Sequence, residues 1–486
     1  MISISNKKHW LLEQAEKDRN KTALITNKSK INYTELLKSS EIIARYLSEN
    51  GIVKESNVGL IYNYNVQFIE TINALWFLGA IPVVVNTRNN SQEINSQLED
   101  AGVNYIIIEK SLIGKFKNLK IKQINITNKK LVNKNLIFPK FNLKNEALIL
   151  FTSGSSGKQK GVVHTFSSLF ESCKLLDNYC NLSKKDIWLT TIPNYHVGGF
   201  MIFIRSFLSG ATVALTGKYD SKNILNSLKN FNPTHISLVS TQLKLLLEAK
   251  CKPNLKLKHL FIGGGPIETN LCSNAISKGF PITKVYGSTE TCSMVTALSK
   301  KDFIIRPNSV GKALKGVQVK VLNKKIKYVI NKSGIIIVKS KSLMKRYYED
   351  PTRSNYYYQN NYYKTNDIGR IDKDGFLFIE SRNEDIIISG GENISAREVE
   401  NAIKPFRNIV DAYVFGIKDS KWGEKVVAIV SAKNIIDKER LNKHLRLKLA
   451  HFKIPKKIIY VKSLPKNELG KINKKEILSL FELNKE

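Results

Sequence analysis

Apolar positions along this chain switch between helical and strand spacing, and the switching outlines the fold. Residues 33–47 place apolar side chains at helical intervals, predicting a helix with Thr34 as its N-cap. Residues 58–62 and 81–85 are continuous apolar runs of strand length, and between them 66–78 has helical spacing. Strand, helix, strand with fully apolar strands predicts a parallel sheet covered on both faces. Residues 115–144 are rich in lysine and asparagine with short apolar patches, read as poorly packed edge strands or loop. The rhythm resumes over 163–290, with a helix near 168–179 and strands at 187–190, 212–215, 235–239 and 260–262. Over 317–379 it shortens to strands joined by turns at 332–334 and 373–375, which reads as a small β-rich subdomain. Beyond Arg382, about 100 residues read as strand, helix (395–403), strands, helix (438–449) and a polar tail, a size that can fold alone. The expected division is 1–382 and 383–486, within an α/β class overall.

A chain of 486 residues is long enough for two or three domains, and 42% hydrophobic with 24% charged residues fits a globular protein. The N-terminal residues lack an apolar signal-peptide core, and the apolar runs are too short to span a bilayer, so a cytoplasmic chain without stable membrane insertion is expected. The five cysteines are odd in number and form no Cys-x-x-Cys pair, which predicts reduced thiols without a metal. The net charge of +36 comes from lysine dispersed along the whole chain rather than gathered on one element with interleaved aromatics. That pattern argues against a nucleic-acid partner, although the field would draw in anionic ligands.

Candidate chemistry concentrates in Phe151-Thr-Ser-Gly-Ser-Ser-Gly-Lys-Gln-Lys-Gly161, which follows an apolar strand. Backbone N–H groups and hydroxyls donate, glycines allow close approach and lysines add charge, so such a turn can wrap polyphosphate. Gly154 and Gly157 stand too close together for a Walker loop, and Val162-Val163 follows directly, so the segment reads as strand–loop–strand. Gly263-Gly-Gly-Pro266 after a strand marks close backbone approach to something flat or bulky. Tyr286-Gly-Ser-Thr-Glu290 gathers an aromatic face, hydroxyls and a carboxylate in one turn. Tyr363-Lys-Thr-Asn-Asp367 ends in an acid suited to ribose hydroxyls, with a simple turn acid as the alternative. Ser381-Arg-Asn-Glu-Asp-Ile-Ile-Ile-Ser-Gly-Gly-Glu-Asn-Ile394 joins the large part to the small one, and Pro465-Lys-Asn-Glu-Leu-Gly-Lys471 places a lysine in a glycine-marked turn.

In order and spacing these motifs resemble the adenylate-forming superfamily of acyl-CoA synthetases, peptide-synthetase adenylation domains and luciferases, over nearly the whole chain. Within it, the segment 387–394, Lys421-Trp-Gly-Glu424 and the overall length are most similar to 2-succinylbenzoate–CoA ligases of menaquinone synthesis. The resemblance implies a large N-terminal region of two α/β sheets plus a β subdomain, and a small mobile α+β C-terminal domain. It implies ATP, Mg²⁺ and CoA as cofactor and co-substrates, a small carboxylate as substrate, and allows a homo-oligomer. Thr152, Ser153, Gly154, Ser155 and Lys160 would hold the β- and γ-phosphates, and Gly264 would line the nucleotide site. Tyr286 would stack on adenine, Thr289 would contact the α-phosphate and Glu290 would place Mg²⁺. Asp367, assisted by Arg382, would take the ribose hydroxyls, and Lys471 would stabilise charge developing at phosphorus. Glu384 would be the hinge, and Gly390 and Gly391 would line the CoA channel at the thioester step. Asn366 and Ser381 depart from the usual glycines at their positions. Another aromatic or medium-chain acid, or a carrier protein in place of free CoA, stays open as the alternative.

One residue stands out without any family. Residues 199–208 are apolar on every face of a helix except Arg205. A guanidinium so placed needs an anion, either a protein carboxylate or a substrate carboxylate, with His196 as a candidate wall of the same pocket.

Overall fold

The computed structural model describes residues 8–126, 138–152, 159–217, 221–265, 267–323, 327–352, 358–359, 361–382, 386–434, 436–465 and 474–483. These fall into two compact units, one drawn from 1–86, 97–151 and 161–381, the other from 87–96, 152–160 and 382–486.

A nine-stranded sheet frames the first unit. Its centre runs Ile282–Ser288, His259–Ile262, His235–Leu238, Ile187–Thr190, Thr212–Leu215 and Thr22–Ile25, all parallel. Antiparallel strands close both edges, Ser293–Leu298 and Lys312–Ala313 on one side and Lys30–Asn32 on the other. A seven-stranded sheet has Asn57–Ile61, Ile81–Val84, Tyr105–Ile108, Lys122–Ile124 and Glu146–Thr152 in parallel, with Lys160–Thr165 and Arg346–Tyr347 at its edge. A small sheet of Gln318–Leu322, Gly334–Lys339, Tyr358–Gln359, Tyr362–Ile371 and Leu377–Arg382 forms the β subdomain. Of the helices that cover these sheets, Val66–Phe77 and Val197–Ser209 are the most deeply set, buried over most of their length, as strands buried on both faces require.

The helix predicted over 33–47 runs Tyr33–Glu49, but Asn32 caps it, not Thr34. Asn32 Oδ1 accepts from Glu35 N at 2.8 Å and Glu35 Oε2 accepts from Asn32 N at 2.8 Å, a reciprocal capping box. Thr34 Oγ1 instead donates to Arg19 O. Phe116, Ile124 and Ile126 are buried, so the lysine-rich stretch packs better than its composition suggests; 127–137 lie outside the described residues.

In the second unit, strands Ile386–Ser389, Glu392–Ser395, Ile409–Asp419, Gly423–Ala432 and Lys457–Val461 form a mixed sheet under helices Ala396–Ile403 and Lys438–Lys448. The expected polar tail is a structured element. Lys457–Val461 pairs in parallel with Gly423–Ala432, and helix Lys474–Leu483 buries Ile477 and Phe481 beside Phe415, Val427 and Ile459. Two apolar residues four apart suffice to seat a helix whose other positions are mostly charged or polar. In this unit Lys453 is buried with its ammonium 2.8 Å from both Glu93 and Glu398, and Arg88 reaches Glu392 at 3.1 Å.

Burial holds several histidines neutral: His9 is pushed down to about 3 and His164 to about 4. His9 Nδ1 accepts from Leu11 N at 3.2 Å and caps helix Trp10–Lys17, a bond that needs the unprotonated nitrogen. The folded pKa values lie below the unfolded value of 6.5, so the unfolded chain binds protons that the folded one refuses. The resulting stability is fully present above pH 6.5 and is lost as pH falls toward 4, by up to about 1.4 kcal/mol per pH unit for each histidine. Thermal unfolding midpoints should be flat above neutrality and drop progressively below pH 6.5; a midpoint unchanged from pH 7 to pH 5 would contradict this assignment.

Candidate active site

In open parallel sheets, ligands bind outside the carboxyl ends of the strands, where successive connections leave in opposite directions. The central strands here have such a point. From Ile187–Thr190 the chain passes to Thr212–Leu215 on one side, then returns to His235–Leu238 on the other. The segments leaving these carboxyl ends are 191–196, 239–242, 263–264 and 289–292, and they carry most of the sequence-predicted residues of this unit.

Tyr286 and Asp367 come from different sheets and meet directly, with Tyr286 Oη donating to Asp367 Oδ2 at 2.7 Å. Asp367 lies within the strand Tyr362–Ile371 and is 7% exposed, so it is not a turn acid. Its backbone N–H donates to Thr365 Oγ1, which itself donates to Ile336 O at 2.8 Å. The pair couples an aromatic face near the carboxyl end of Ile282–Ser288 to a carboxylate on the neighbouring sheet, an arrangement that can hold a flat base and a diol side by side.

Tyr286, Gly287 and Ser288 close the strand Ile282–Ser288, and only Thr289 and Glu290 enter the turn. The register shifts between Tyr286 and Gly287, and the turn ends on Cys292 at φ +56° before the return strand opens with Ser293 at φ +83°, left-handed values rare for side chains. Thr291 Oγ1 accepts from Ser288 N at 2.8 Å and donates to Ser293 O at 2.7 Å, tying the turn across its neck. A Cβ on Gly287 would come within 1.9 Å of Ser293 O, so glycine is obligatory there.

His164 was not anticipated from the sequence. Its Nε2 donates to Thr289 O at 2.9 Å, since a carbonyl only accepts, while Nδ1 lies 3.2 Å from Ser168 Oγ. A buried neutral imidazole thereby fixes the backbone of the Thr289 turn. Tyr347 was missed too: its hydroxyl donates to Glu290 Oε1 at 3.0 Å, and Met344 N donates to Glu290 O at 2.8 Å. Glu290 is thus aimed from both its ends, and a carboxylate has a second oxygen with which to hold a hard cation. His164 lies four residues past Lys160, but a histidine in an apolar strand carries no signal by itself.

Gly264 adopts φ +82° beyond the strand His259–Ile262, and a Cβ on Gly263 would meet the Val285 side chain at 2.8 Å. His196 is the N-cap of the helix Val197–Ser209, and its ring packs edge-on at 4.8 Å against Tyr195. Arg205 is not brought to His196. Nine residues separate them on one helix, about 13 Å along its axis. The guanidinium is 1% exposed, lies 5.9 Å from the Trp188 ring, and donates to Ser172 Oγ at 3.4 Å, with Nε left without an acceptor. Among the described residues no carboxylate pairs with it, so the protein carboxylate that could have satisfied it is not there.

In the second unit, Gly390 and Gly391 are the two central residues of a hairpin turn, at φ +59° and +83° between the paired Ser389 and Glu392, the pattern of a type I′ turn. Gly390 N donates to Trp422 O at 2.7 Å, so the glycines have a structural reason of their own. Thr152 ends the strand Glu146–Thr152, and Lys160 opens the strand Lys160–Thr165 with its side chain buried. Ser153, Gly154, Ser155, Glu384 and Lys471, and the side chain of Arg382, lie outside the described residues.

A profile of AMP-binding enzymes matches residues 11–348, and one of the AMP-binding enzyme C-terminal domain matches 398–471. This chain belongs to the AMP-binding enzyme family. Its fold is the adenylate-forming one, with a large N-terminal and a small C-terminal domain. A 2-succinylbenzoate–CoA ligase of Staphylococcus epidermidis is 31% identical over 470 residues, covering 97% of each chain. Among solved structures, a double mutant of o-succinylbenzoate CoA synthetase from Bacillus subtilis, bound with a product analogue, superposes with a TM-score of 0.91 at 28% identity, covering 97% of this chain and 98% of that one. The same B. subtilis enzyme in complex with ATP and magnesium ion gives 0.75 at 28% identity, covering 95% and 98%. Among the described residues, no helix of this AMP-binding enzyme is long and apolar enough to cross a membrane.

Proposed function

We propose that this AMP-binding enzyme is an AMP-forming acid–CoA ligase that converts 2-succinylbenzoate, ATP and CoA to 2-succinylbenzoyl-CoA, AMP and pyrophosphate, a step of menaquinone synthesis. In the first half-reaction a carboxylate oxygen attacks the α-phosphorus and pyrophosphate leaves with Mg²⁺. In the second, the CoA sulfur attacks the acyl carbon, its proton passes to solvent and AMP leaves. The observation that carries the reading is the Tyr286–Asp367 bond near the carboxyl end of Ile282–Ser288, with Thr289 and Glu290 on the adjoining turn. Tyr286 supplies the face for adenine, Asp367 the acceptor for ribose hydroxyls, Thr289 a contact to the α-phosphate, and Glu290 would hold Mg²⁺ with Tyr347 fixing its carboxylate. Thr152, Ser153, Gly154, Ser155 and Lys160 are assigned to the terminal phosphates, Arg382 to the ribose, Lys471 to the transition-state charge and His196 to the acyl pocket. The small domain, 383–486, is assigned a rotation about Glu384 between half-reactions, with Gly390 and Gly391 at the CoA channel.

The name and near-complete coverage of the relatives support the choice of acid. Pyrophosphate release across a panel of carboxylic acids, with and without CoA, tests it. 2-Succinylbenzoate should be preferred over benzoate and medium-chain acids, and CoA should be consumed to a thioester. Equal or faster turnover of the plain acids would remove the substrate assignment, and transfer to a phosphopantetheinyl carrier but not to CoA would remove the ligase.

A further inference from the structure

At the other end of the nine-stranded sheet, away from the nucleotide site, the fold assembles a cluster that the spacing of the cysteines did not suggest. His235 and His259 are the first residues of neighbouring parallel strands and stand opposite each other in register, with ring centroids 5.4 Å apart. Cys180 is the last residue of the helix Phe166–Cys180. One donor atom from each of these three residues lies within 4.8 Å of the others.

Two buried polar atoms around this cluster are unexplained by the protein alone. His235 is fully buried and its Nε2 has no partner, while Nδ1 lies 2.8 Å from Thr234 Oγ1. That is the arrangement of a metal-bound imidazole, one nitrogen fixed by an oxygen and the other free to ligate. The second is Arg205 Nε, on a buried cation with no carboxylate, whose charge interacts with Cys173, Cys292 and Cys180. A thiolate at Cys180 would give it an anion.

We propose that Cys180, His235 and His259 bind one Zn²⁺ through a thiolate and two imidazoles, with the fourth position on the half-exposed side formed by Cys180 and His259. The donor set is that of zinc, a borderline-soft ion taking sulfur and nitrogen. Bonds of about 2.0–2.3 Å in a tetrahedron hold donors roughly 3.4–3.6 Å apart, so closing the cluster needs side-chain shifts of about 1 Å together with a turn of the His259 ring, which is stacked on His235 at 26° and must bring its in-plane lone pair onto the ion. Both imidazoles are ready as neutral ligands: burial pushes His235 down to about 3, and burial with Lys258 alongside lowers His259. Burial pushes the Cys180 thiol up to about 12, so its proton must leave to solvent as the Zn–S bond forms, and Arg205 favours the thiolate. Asp186, 4.0 Å from His235 Nδ1, is engaged by Lys258 at 2.7 Å and contributes to the surrounding charge rather than to the ligand set. The ion would staple the end of helix Phe166–Cys180 to the starts of two central strands, remote from the chemistry.

The test is titration of chelator-treated enzyme with Co²⁺ as a spectroscopic stand-in. One equivalent should produce visible ligand-field bands of tetrahedral cobalt and a near-ultraviolet thiolate charge-transfer band, both removed by one equivalent of Zn²⁺. Zn²⁺ should also raise the unfolding midpoint. Cys180→Ser should abolish the charge-transfer band, and His259→Gln, at a half-exposed position, should weaken binding at least tenfold while the metal-free protein stays folded. No stoichiometric band, or bands unchanged in both variants, would overturn the site.

Discussion

Lys471→Ala should lower the rate of acyl-adenylate formation by about 10²–10³ while thioester formation from supplied acyl-AMP proceeds nearly as before. The asymmetry follows from when charge appears. Negative charge builds at phosphorus as the acid attacks and pyrophosphate departs, and a preorganised ammonium is worth most there. In the second half-reaction no bond to phosphorus forms or breaks: the oxyanion develops on the acyl oxygen, and the new charge on AMP falls on the oxygen that leaves the acyl carbon. Pyrophosphate release and thioester formation are measured separately, the first from acid and ATP and the second from acyl-AMP and CoA. Equal loss in both would remove Lys471 from its assigned role and make it a general structural residue.

Gly287→Ala should cost at least about 10² in activity and lower the unfolding midpoint, although only one methyl group is added. That methyl has nowhere to go: Ser293 O stands 1.9 Å from the new Cβ and Met294 Cα 2.8 Å, both backbone atoms of the paired strand. Relief requires the strands Ile282–Ser288 and Ser293–Leu298 to part at the turn that carries Thr289 and Glu290. Gly279→Ala serves as the control, because its Cβ would meet only a Pro253 side-chain atom at 3.6 Å and the cost is confined to its positive φ. The KM for ATP, kcat and the midpoint are read together. An alanine variant at 287 with wild-type kinetics would show that the two strands yield more easily than their pairing suggests.

The sequence made the chemistry legible where several residue types had to occur together. Tyr286, Thr289, Glu290 and Asp367 were nominated from short clusters, and the fold places Tyr286 and Asp367 in direct contact although 81 positions separate them. What stayed hidden were residues whose contribution is the angle of someone else's atoms. His164 looks like an ordinary member of a strand and Tyr347 like one tyrosine in a charged run, and only the folded chain shows that one holds Thr289 and the other Glu290. Arg205 was legible as an anomaly but not as a contact, because a helix reveals which face a side chain is on and not which neighbours it meets across the core. The helix start at Asn32 was missed for a local reason: Asn and Thr are both good caps, and the Glu35 that completes the reciprocal pair decides between them. The C-terminal helix was missed because its lysines and glutamates outnumber the two residues that seat it.

Lys453 with Glu93 and Glu398 carries a consequence for how this chain can drift. Loss of Lys453 would strand two carboxylates in the interior at roughly 3–5 kcal/mol, whereas loss of either glutamate leaves one ion pair, and exchanging all three for apolar residues of similar volume would cost little. The order of steps is therefore constrained although the end point is open. Position 453 should stay cationic for as long as 93 or 398 is acidic, while the exposed lysines around them turn over independently.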